Sequence, residues 1–370
     1  MKEFTGREHF LEILRKNKEN LKKNDAVQYA LIGQRDIGKT AIIKEFISKN
    51  KDVKSIYIDF EKISLSPESF SVEFTEQVVY YILGKKHSFE EIKKLKLPIS
   101  ETVNNIANEL EKIKPNQKKL LEWSFSLIEN WSLKENFNSI LFVDEFHKIL
   151  EFNNFGQIKD VLDFLNFDWK KSCLTVTSSA LTEMKNISEK LNLAVEEVTA
   201  LDRESVKQLV EKFIIIGEKE VDKIYALSRG VPLYVIALCN RYKEYKSIEK
   251  AYVFEVLSKQ GIIHNALQFN LQESLSRARG QTLLFNILKV LSQNNPLRLT
   301  EISSKIYRSG PVTKSLVDRL VSVDIVSKKD KLFSLNPVMK FFIKNVIVLG
   351  NEFFTADKKM ITEIAKEVEQ

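Results

Sequence analysis

The chain is poor in the residues that build metal centres and disulfide frameworks. Its 370 residues include two cysteines and four histidines. Cys173 and Cys239 are far apart and match no metal-binding spacing, and the histidines are scattered, so no metal–histidine site is expected. Cys173 lies in an apolar stretch with strand character, where we expect a reduced and unreactive thiol.

Long apolar runs are also missing. No stretch of about eighteen uninterrupted apolar residues occurs, so no membrane span is expected. The nearest candidate, residues 341–349, is short and contains Lys344. The charged N-terminus lacks the apolar core of a secretion signal. Hydrophobic residues make up 44% of the chain and charged residues 29%, as in soluble globular proteins. We therefore expect a cytoplasmic protein.

Positive charge is unevenly placed along the chain. The net charge is +7, and residues 281–345 contain eleven Lys/Arg against four Asp/Glu, so this one segment holds a surplus equal to that of the whole chain. Such a surface suits an anionic partner. The alternative is that these basic residues are only solvated and bind no partner.

Residues 31–40 read LIGQRDIGKT and contain the full G-x-x-x-x-G-K-[ST] phosphate-binding pattern. Gly33 allows a sharp turn after a strand, and Gly38 lets main-chain N–H groups close on a phosphate. Lys39 can reach the β- and γ-phosphates, and the Thr40 hydroxyl can ligate Mg²⁺. The nucleotide-contacting residues expected in the loop are Gly33, Gln34, Arg35, Asp36, Ile37, Gly38, Lys39, Thr40 and Ala41.

The flanking segments support this interpretation of the loop. Residues 26–32 form an apolar, partly β-branched run typical of a buried strand, and residues 40–50 have apolar positions at helical spacing. The positive end of that helix would point at the bound anion. Strand, loop and helix in this order disfavour a chance glycine loop and predict that the chain binds a nucleoside triphosphate.

A second acidic signal follows another apolar strand. Residues 139–146 read SILFVDEF, and the strand ends in Asp144 and Glu145. Asp144 would hold Mg²⁺ through water, and Glu145 would polarise the attacking water. Acidic pairs also occur in ordinary turns after strands, but the phosphate loop favours the catalytic interpretation. For His147 a plain helix-start role is expected.

Hydroxyl residues end the next predicted strand. Residues 173–180 read CLTVTSSA and finish in Thr177, Ser178 and Ser179. A polar side chain at the tip of such a strand can sense the γ-phosphate, and Ser178 is the candidate that would orient water. Serine at a strand end is also a common helix N-cap. Both interpretations remain open from the sequence.

The remaining pattern predicts an α/β fold with several parts. A P-loop NTPase core with a parallel sheet would span residues 1–201, with a helix at 155–167 and a last strand at 196–201. Within it, residues 84–115 would be a helical insertion, for which a solvated surface is favoured over a docking role. An all-α lid would follow over residues 202–280, a winged-helix domain over 281–350 and a charged helical tail over 351–370.

The last third of the chain has the order helix, helix, turn, helix, hairpin, which is that of a winged helix. On the helix at residues 312–323, the N-terminal residues Thr313, Lys314 and Ser315 would face a DNA groove and Arg319 would flank the backbone. The hairpin tip would meet phosphates through Lys328, Lys329 and Lys331. Many winged helices bind protein instead, so double-stranded DNA and a partner protein both remain candidates.

Together these segments make the chain resemble the archaeal-type ATPase family, a branch of the STAND class of signalling P-loop ATPases related to AAA+ proteins. The residues that carry the resemblance are Phe4-Thr5-Gly6-Arg7-Glu8, residues 33–40, residues 142–146, Thr177-Ser178-Ser179 with Met184, Arg229-Gly230-Val231-Pro232 and residues 332–343. The Gly-Arg-Glu start and the Gly-x-Pro turn separate this family from kinases and simple GTPases.

The resemblance implies ATP and Mg²⁺ as ligands, Arg7 on the adenine side and Pro232 as a nucleotide contact from the lid. Two departures matter. The family usually has Gly-Ser where this chain has Ser178-Ser179, and no arginine occurs between Leu141 and Asp202. Ring-forming AAA+ proteins carry their arginine finger in that region, so a ring hexamer is disfavoured.

The favoured hypothesis is a slow nucleotide switch, in which ATP closes the core, lid and winged helix and hydrolysis reopens them. The alternative is a DNA-binding or regulatory protein that holds nucleotide without useful catalysis. An intact Asp144-Glu145 pair favours the first. A small-molecule kinase would leave the Gly-x-Pro turn unexplained.

Overall fold

The computed structural model describes residues 4–165, 168–353 and 358–369. Contacts divide the chain into two compact units. The sheet unit contains residues 7–34 and 39–198, and the helical unit contains residues 1–6, 35–38 and 199–370.

The sheet unit is built on five parallel strands in the order β2-β3-β4-β1-β5. The strands are β1 (Tyr29–Ile32), β2 (Lys54–Asp59), β3 (Ser139–Asp144), β4 (Ser172–Ser178) and β5 (Ala194–Glu197). Its helices are α1 (Glu8–Leu21), α2 (Lys39–Lys49), α3 (Pro67–Leu83), α4 (Phe89–Ile92), α5 (Ser100–Leu110), α6 (Gln117–Glu135) and α7 (Leu181–Leu191). In this order the carboxyl ends of β3, β4 and β1 lie side by side at one edge of the sheet, where open α/β sheets bind their ligands.

The core of the sheet unit is rich in phenylalanine. Phe70 on α3 and Phe125 on α6 pack with their ring centroids 5.3 Å apart. The predicted insertion contributes to the same core, because Ile99, Val103 and Ile106 are buried within it. α5 is therefore an amphipathic helix, with one face packed on the core and the other face in solvent.

The prediction of an α-helix at residues 155–167 is wrong for residues 155–165, the part that the structure describes. Two 3₁₀ helices, Phe146–Asn154 and Val161–Leu165, occupy this region, and residues 166 and 167 lie outside the described residues. Asn153 Oδ1 accepts the Val161 N–H at 2.8 Å, and Asp160 Oδ1 accepts the Leu162 N–H at 3.0 Å. Short polar side chains that bind the main chain in this way compete with α-helical hydrogen bonds.

The helical unit consists of ten α-helices, a π-helical segment at Ile343–Val348 and three short strands among its described residues. Its helices are α8 (Arg203–Glu211), α9 (Glu218–Ser228), α10 (Pro232–Tyr245), α11 (Ile248–Leu257), α12 (Ile262–Ala278), α13 (Gln281–Gln293), α14 (Leu299–Ile306), α15 (Gly310–Ser322), α16 (Pro337–Phe342) and α17 (Lys358–Glu369). The strands β6 (Leu297–Arg298), β7 (Val326–Lys329) and β8 (Leu332–Leu335) form an antiparallel sheet in the order β6-β8-β7.

Helix α11 is the most enclosed helix of this unit, with nine of its ten residues buried. It packs against α9, α10 and α12, and also against α17 near the end of the chain. On α17 the apolar residues Ile361, Ile364 and Ala365 are buried. The charged tail expected from the sequence is thus an amphipathic helix that shares a core with α11.

Both cysteines are buried free thiols. Burial raises the pKa of the Cys173 thiol to about 12, with a smaller effect of the Glu129 charge. Thiolate is therefore scarce at neutral pH, which makes this thiol unreactive. In the part of the chain that the structure describes, no helix is both long and apolar enough to cross a membrane.

Two glycines with similar φ angles allow a matched test of the packing. Gly230 has a φ of +70°, and a Cβ at this position would lie 2.2 Å from the Leu201 carbonyl oxygen. Gly84 has a φ of +75° and no atom within 4 Å of such a Cβ. Alanine costs roughly 1–2 kcal/mol at either position for the left-handed backbone. We expect Gly230→Ala to destabilise by roughly a further 1–3 kcal/mol, because only there must the neighbouring backbone move.

Urea denaturation of the two variants measures this difference. Equal midpoints and slopes for Gly230→Ala and Gly84→Ala would contradict the close approach of residues 230 and 201.

Candidate nucleotide-binding site

The phosphate loop leaves β1 at the carboxyl edge of the sheet and enters α2. The Gly33 N–H donates to the Ser178 carbonyl at 3.2 Å, which ties the start of the loop to the tip of β4. Asp36 and Gly38 have φ values of +65° and +99°. α2 begins at Lys39, so the unpaired N–H groups of its first turn face the end of the loop. The sequence pattern therefore has the local structure that anion binding requires.

Lys39 is buried, and its ammonium group lies over the loop itself. Its Nζ donates to the carbonyl oxygens of Gly33 at 2.8 Å and Gln34 at 3.0 Å. An ammonium group in this position can exchange carbonyl acceptors for phosphate oxygens, which form stronger charge-assisted hydrogen bonds.

Asp144 is the centre of the polar contacts at this edge. It is buried, and its Oδ2 accepts the Thr40 hydroxyl at 2.6 Å and the Tyr57 hydroxyl at 2.7 Å. The Thr177 hydroxyl donates to its Oδ1. Burial, and next the charge of Asp144, raise the pKa of Tyr57 well above its ordinary value, so Tyr57 remains a donor. Tyr57 is not recognisable as a site residue from the sequence, since a tyrosine inside a strand resembles a packing residue.

The donor set around Asp144 fits a magnesium ion. The Thr40 hydroxyl and the Asp144 carboxylate are hard oxygen ligands. Among the described residues, no group of three or more His, Cys, Asp and Glu could hold a metal. Mg²⁺ is commonly bound by one or two protein oxygens while waters and substrate phosphates complete its octahedron. These two residues suffice for such a site when a nucleotide supplies the phosphates.

Glu145 follows directly and has a left-handed backbone, with φ +50° and ψ +48°. Its side chain is largely buried, and its Oε2 accepts both the N–H of Ser179 at 2.9 Å and the hydroxyl of Ser179 at 2.8 Å. The carboxylate is thus held against the end of β4, beside Asp144. The acidic pair and the hydroxyl tip of β4 form one polar group.

The structure corrects the role expected for Ser178. Its side chain is fully buried, its Oγ accepts the Ala180 N–H at 3.0 Å, and it lies 3.0 Å from Nδ1 of His147. It is therefore not placed to touch a phosphate, and the N-cap residue of α7 is Ala180. Side chains alternate along a strand, so Thr177 and Ser179 contact Asp144 and Glu145 directly, while Ser178 contacts the His147 imidazole. His147, expected as a helix-start residue, is buried beside this group.

Residues 35–38 of the loop group with the helical unit. The Arg35 Nη1 lies 2.8 Å from Oε2 of Glu273, and its guanidinium carbon lies 4.3 Å from the centroid of the Phe269 ring. A Cβ on Gly38 would be 3.9 Å from Cγ of Pro232, the first residue of α10. Two of the predicted nucleotide-contacting residues, Gly38 and Pro232, are therefore neighbours.

The other predicted loop residues differ in exposure. Gln34 is exposed, Ile37 is buried, and Asp36 and Ala41 are half-buried. Arg7, expected on the adenine side, is buried at the start of α1, where its carbonyl accepts the Leu11 N–H at 3.3 Å. Burial, and next the charge of Asp36, raise the pKa of Tyr234 on α10.

The candidate nucleic-acid residues divide into two groups. Lys314, at the start of α15, and the hairpin residues Lys328, Lys329 and Lys331 are exposed. Arg319 is not, because its Nε donates to the Ala278 carbonyl at 2.6 Å and its Nη2 donates to the same oxygen. The expectation that Arg319 flanks DNA is therefore replaced by a structural role.

Thr313, in the same helix, also differs from the expectation that it faces a DNA groove. It is buried, and its hydroxyl accepts from the Ser303 hydroxyl at 2.9 Å and donates to the Ser309 carbonyl at 3.0 Å. It joins α14 to α15 and does not face a groove.

No family model and no curated protein matches the sequence. Solved structures do match the fold. A Walker-type ATPase of Pyrococcus abyssi is 15% identical, with a TM-score of 0.62 over 92% of this chain and 96% of its own. The ORC2 protein of Aeropyrum pernix, described in ADPNP and ADP complexes, is 12% identical, with a TM-score of 0.56 over 99% of this chain and 95% of its own. These similarities confirm the predicted fold class of an AAA-like P-loop core with a parallel sheet.

Proposed function

We propose that the chain is an archaeal-type P-loop ATPase that binds ATP with Mg²⁺, hydrolyses it slowly and works as a nucleotide-dependent switch on a winged-helix binding domain. The 2.6 Å hydrogen bond between the Thr40 hydroxyl and the Asp144 carboxylate carries the proposal. It brings the two expected magnesium ligands, 104 positions apart in sequence, into contact at the mouth of the phosphate loop.

Each residue has a defined task in this proposal. Lys39 and the N–H groups of the loop bind the β- and γ-phosphates. Bound Mg²⁺ would neutralise charge on the phosphate oxygens. Glu145 accepts the proton of the water whose oxygen bonds to the γ-phosphorus, while the bond from that phosphorus to the β–γ bridging oxygen breaks and ADP leaves. No arginine lies between Leu141 and Asp202, and a missing finger lowers the rate by roughly 10³–10⁵. Slow turnover follows.

Replacing Glu145 separates hydrolysis from binding. Glu145→Gln keeps the size of the side chain but cannot take a proton, so we expect ATP hydrolysis to fall by roughly 10²–10⁴, the usual contribution of a general base. ATP affinity should stay within a few-fold, as measured with a fluorescent ATP analogue.

Two outcomes would change the proposal. If the Glu145→Gln variant hydrolyses ATP at the wild-type rate, Glu145 is not the base. ATP binding by the wild type without any hydrolysis would favour the alternative, a regulatory protein that holds nucleotide and does not turn it over.

The winged helix is supported by the packing of α14 and α15 and by the antiparallel sheet of β6, β7 and β8. Three lysines at the hairpin tip are exposed, and residues 281–345 hold a charge surplus equal to that of the whole chain. We propose double-stranded DNA as the partner, because a basic hairpin beside an exposed Lys314 suits phosphates along a duplex. A partner protein is the other outcome of the test.

Alanine at Lys328, Lys329 and Lys331 together should weaken DNA binding by a similar factor on every sequence. The slope of log K against log salt should become less steep by up to about 0.9 per lost contact. Lys314→Ala should instead change which sequences are preferred. Fluorescence anisotropy on a panel of duplexes measures both, with Lys219→Ala, an exposed lysine of α9, as the control.

Absence of duplex binding by the wild type even at about 50 mM salt, which favours phosphate contacts, would reassign the winged helix to protein binding.

The switch is supported by a series of contacts within the helical unit. Phe269 and Glu273, one helical turn apart on α12, both contact Arg35 of the phosphate loop. At the C-terminal end of the same helix, the Ala278 carbonyl accepts the guanidinium hydrogen bonds of Arg319 on α15. One helix of 17 residues therefore joins loop residue 35 to the helix that carries Lys314.

Removing the contact with Arg35 should uncouple the phosphate loop from the C-terminal end of α12. In a Glu145→Gln background, we expect ATP with Mg²⁺ to change amide hydrogen exchange in α15, and Glu273→Ala to reduce that change at least by half. Gln272→Ala, an exposed neighbour on α12, is the matched control and should leave it intact. An unchanged response in Glu273→Ala, at saturating nucleotide, would contradict the role of α12.

A further inference from the structure

We infer that His147 is a positioning residue for hydrolysis, which fixes the Glu145 carboxylate relative to the tip of β4. The inference rests on the proposed function, because it concerns the placement of the residue that activates water there. His147 lies two positions after Glu145, in the 3₁₀ helix Phe146–Asn154.

The imidazole lies between two polar groups. Its Nδ1 is 3.0 Å from the Ser178 hydroxyl oxygen and 3.4 Å from Oε2 of Glu145, and its side chain is 3% exposed. Ser178 belongs to β4, while Glu145 directly follows β3. His147 thus connects the acidic pair with the neighbouring strand through one nitrogen.

The chemistry of the neighbours places a proton on Nδ1. A carboxylate oxygen accepts only, so a bare Nδ1 facing Glu145 would set two lone pairs against each other. The Ser178 oxygen already accepts the Ala180 N–H, and a hydroxyl oxygen has a second lone pair for another donor. With hydrogen on Nδ1, the imidazole donates to the Ser178 oxygen, and the positive N–H edge of the ring lies 3.4 Å from Oε2 of Glu145.

The consequence concerns which oxygen of Glu145 meets water. Oε2 accepts the N–H and the hydroxyl of Ser179 and lies nearest to His147. All the polar contacts that the described residues make with this carboxylate thus involve one oxygen. Oε1 is the oxygen left to accept a proton, and the contacts on Oε2 set its direction. A shift of about 1 Å in such a group can change a rate by about a hundredfold.

Substitutions of His147 can distinguish a residue that positions Glu145 from one that only fills space. A packing role depends on ring volume, whereas a positioning role depends on a donor at Nδ1. Asparagine places its Nδ2 near the site of the histidine Nδ1, and leucine supplies similar bulk without a donor. The pair His147→Asn and His147→Leu therefore separates the two roles.

Steady-state ATP hydrolysis by the full chain tests the inference. We expect His147→Leu to lower kcat by roughly 10- to 100-fold, the effect of a displacement of up to about 1 Å in a reacting group, with KM for ATP within about twofold of the wild type. His147→Asn should recover most of kcat. His87→Leu, a histidine of the insertion in the same unit, is the matched control and should retain the wild-type rate.

A double variant shows whether His147 acts through Glu145. Combined with Glu145→Gln, the His147→Leu change should have almost no further effect, because the group that it positions no longer accepts a proton. If His147→Leu fails to fold, Ser178→Ala removes the other contact of the imidazole and should lower kcat several-fold with KM unchanged.

The outcomes that overturn the inference differ from those that overturn the proposed function. A wild-type kcat in His147→Leu, equal losses in the Leu and Asn variants, or a full additional loss in the double variant would each overturn it while ATP hydrolysis stands. If only Ser178→Ala can be measured, an unchanged kcat overturns it. A wild-type chain that binds ATP but does not hydrolyse it would remove the proposed catalytic function, and the inference with it.

Discussion

A buried carboxylate at the end of β3 sets the arrangement of the whole polar edge. Burial of Asp144 is tolerated because three hydroxyls, from Thr40, Tyr57 and Thr177, donate to it, and a buried charge without such partners would be very unfavourable. Each donor comes from a different element, namely the start of α2, strand β2 and strand β4. Satisfying this one group therefore fixes the register in which loop, strands and acidic pair meet.

The helical unit is organised by a different constraint, because the apolar faces of its helices must be buried away from water. α11 has almost no exposed residue, because the helices around it cover nearly all of its surface. α12 shows this most clearly, since residues in its middle contact Arg35 and its last residue, Ala278, holds Arg319. In the proposed switch, a displacement at the Arg35 contact would reach α15 along the second half of this one helix.

Much of the fold could be predicted from the sequence because its signals are local. Apolar strands that end in the phosphate loop and in Asp144-Glu145, and helices such as α3 with a Ser66 cap and Pro67 at its first turn, follow from periodicity and capping. The failures lie where local signals conflict or vanish. α11 is buried on nearly all sides and has no amphipathic period. The helix predicted at residues 155–167 fails over its described part because the side chains of Asn153 and Asp160 bind the main-chain donors of Val161 and Leu162. The sequence does not distinguish Ser178 from Ser179 as the site residue, because it does not reveal which face of a strand meets a neighbour.

The packing of α17 against α11 also bears on where this chain can be cut. Ile361, Ile364 and Ala365 cover part of a helix that lies a hundred positions earlier in the chain. Proteolytic removal of the last twenty residues would therefore uncover apolar surface in the middle of the unit and would favour self-association.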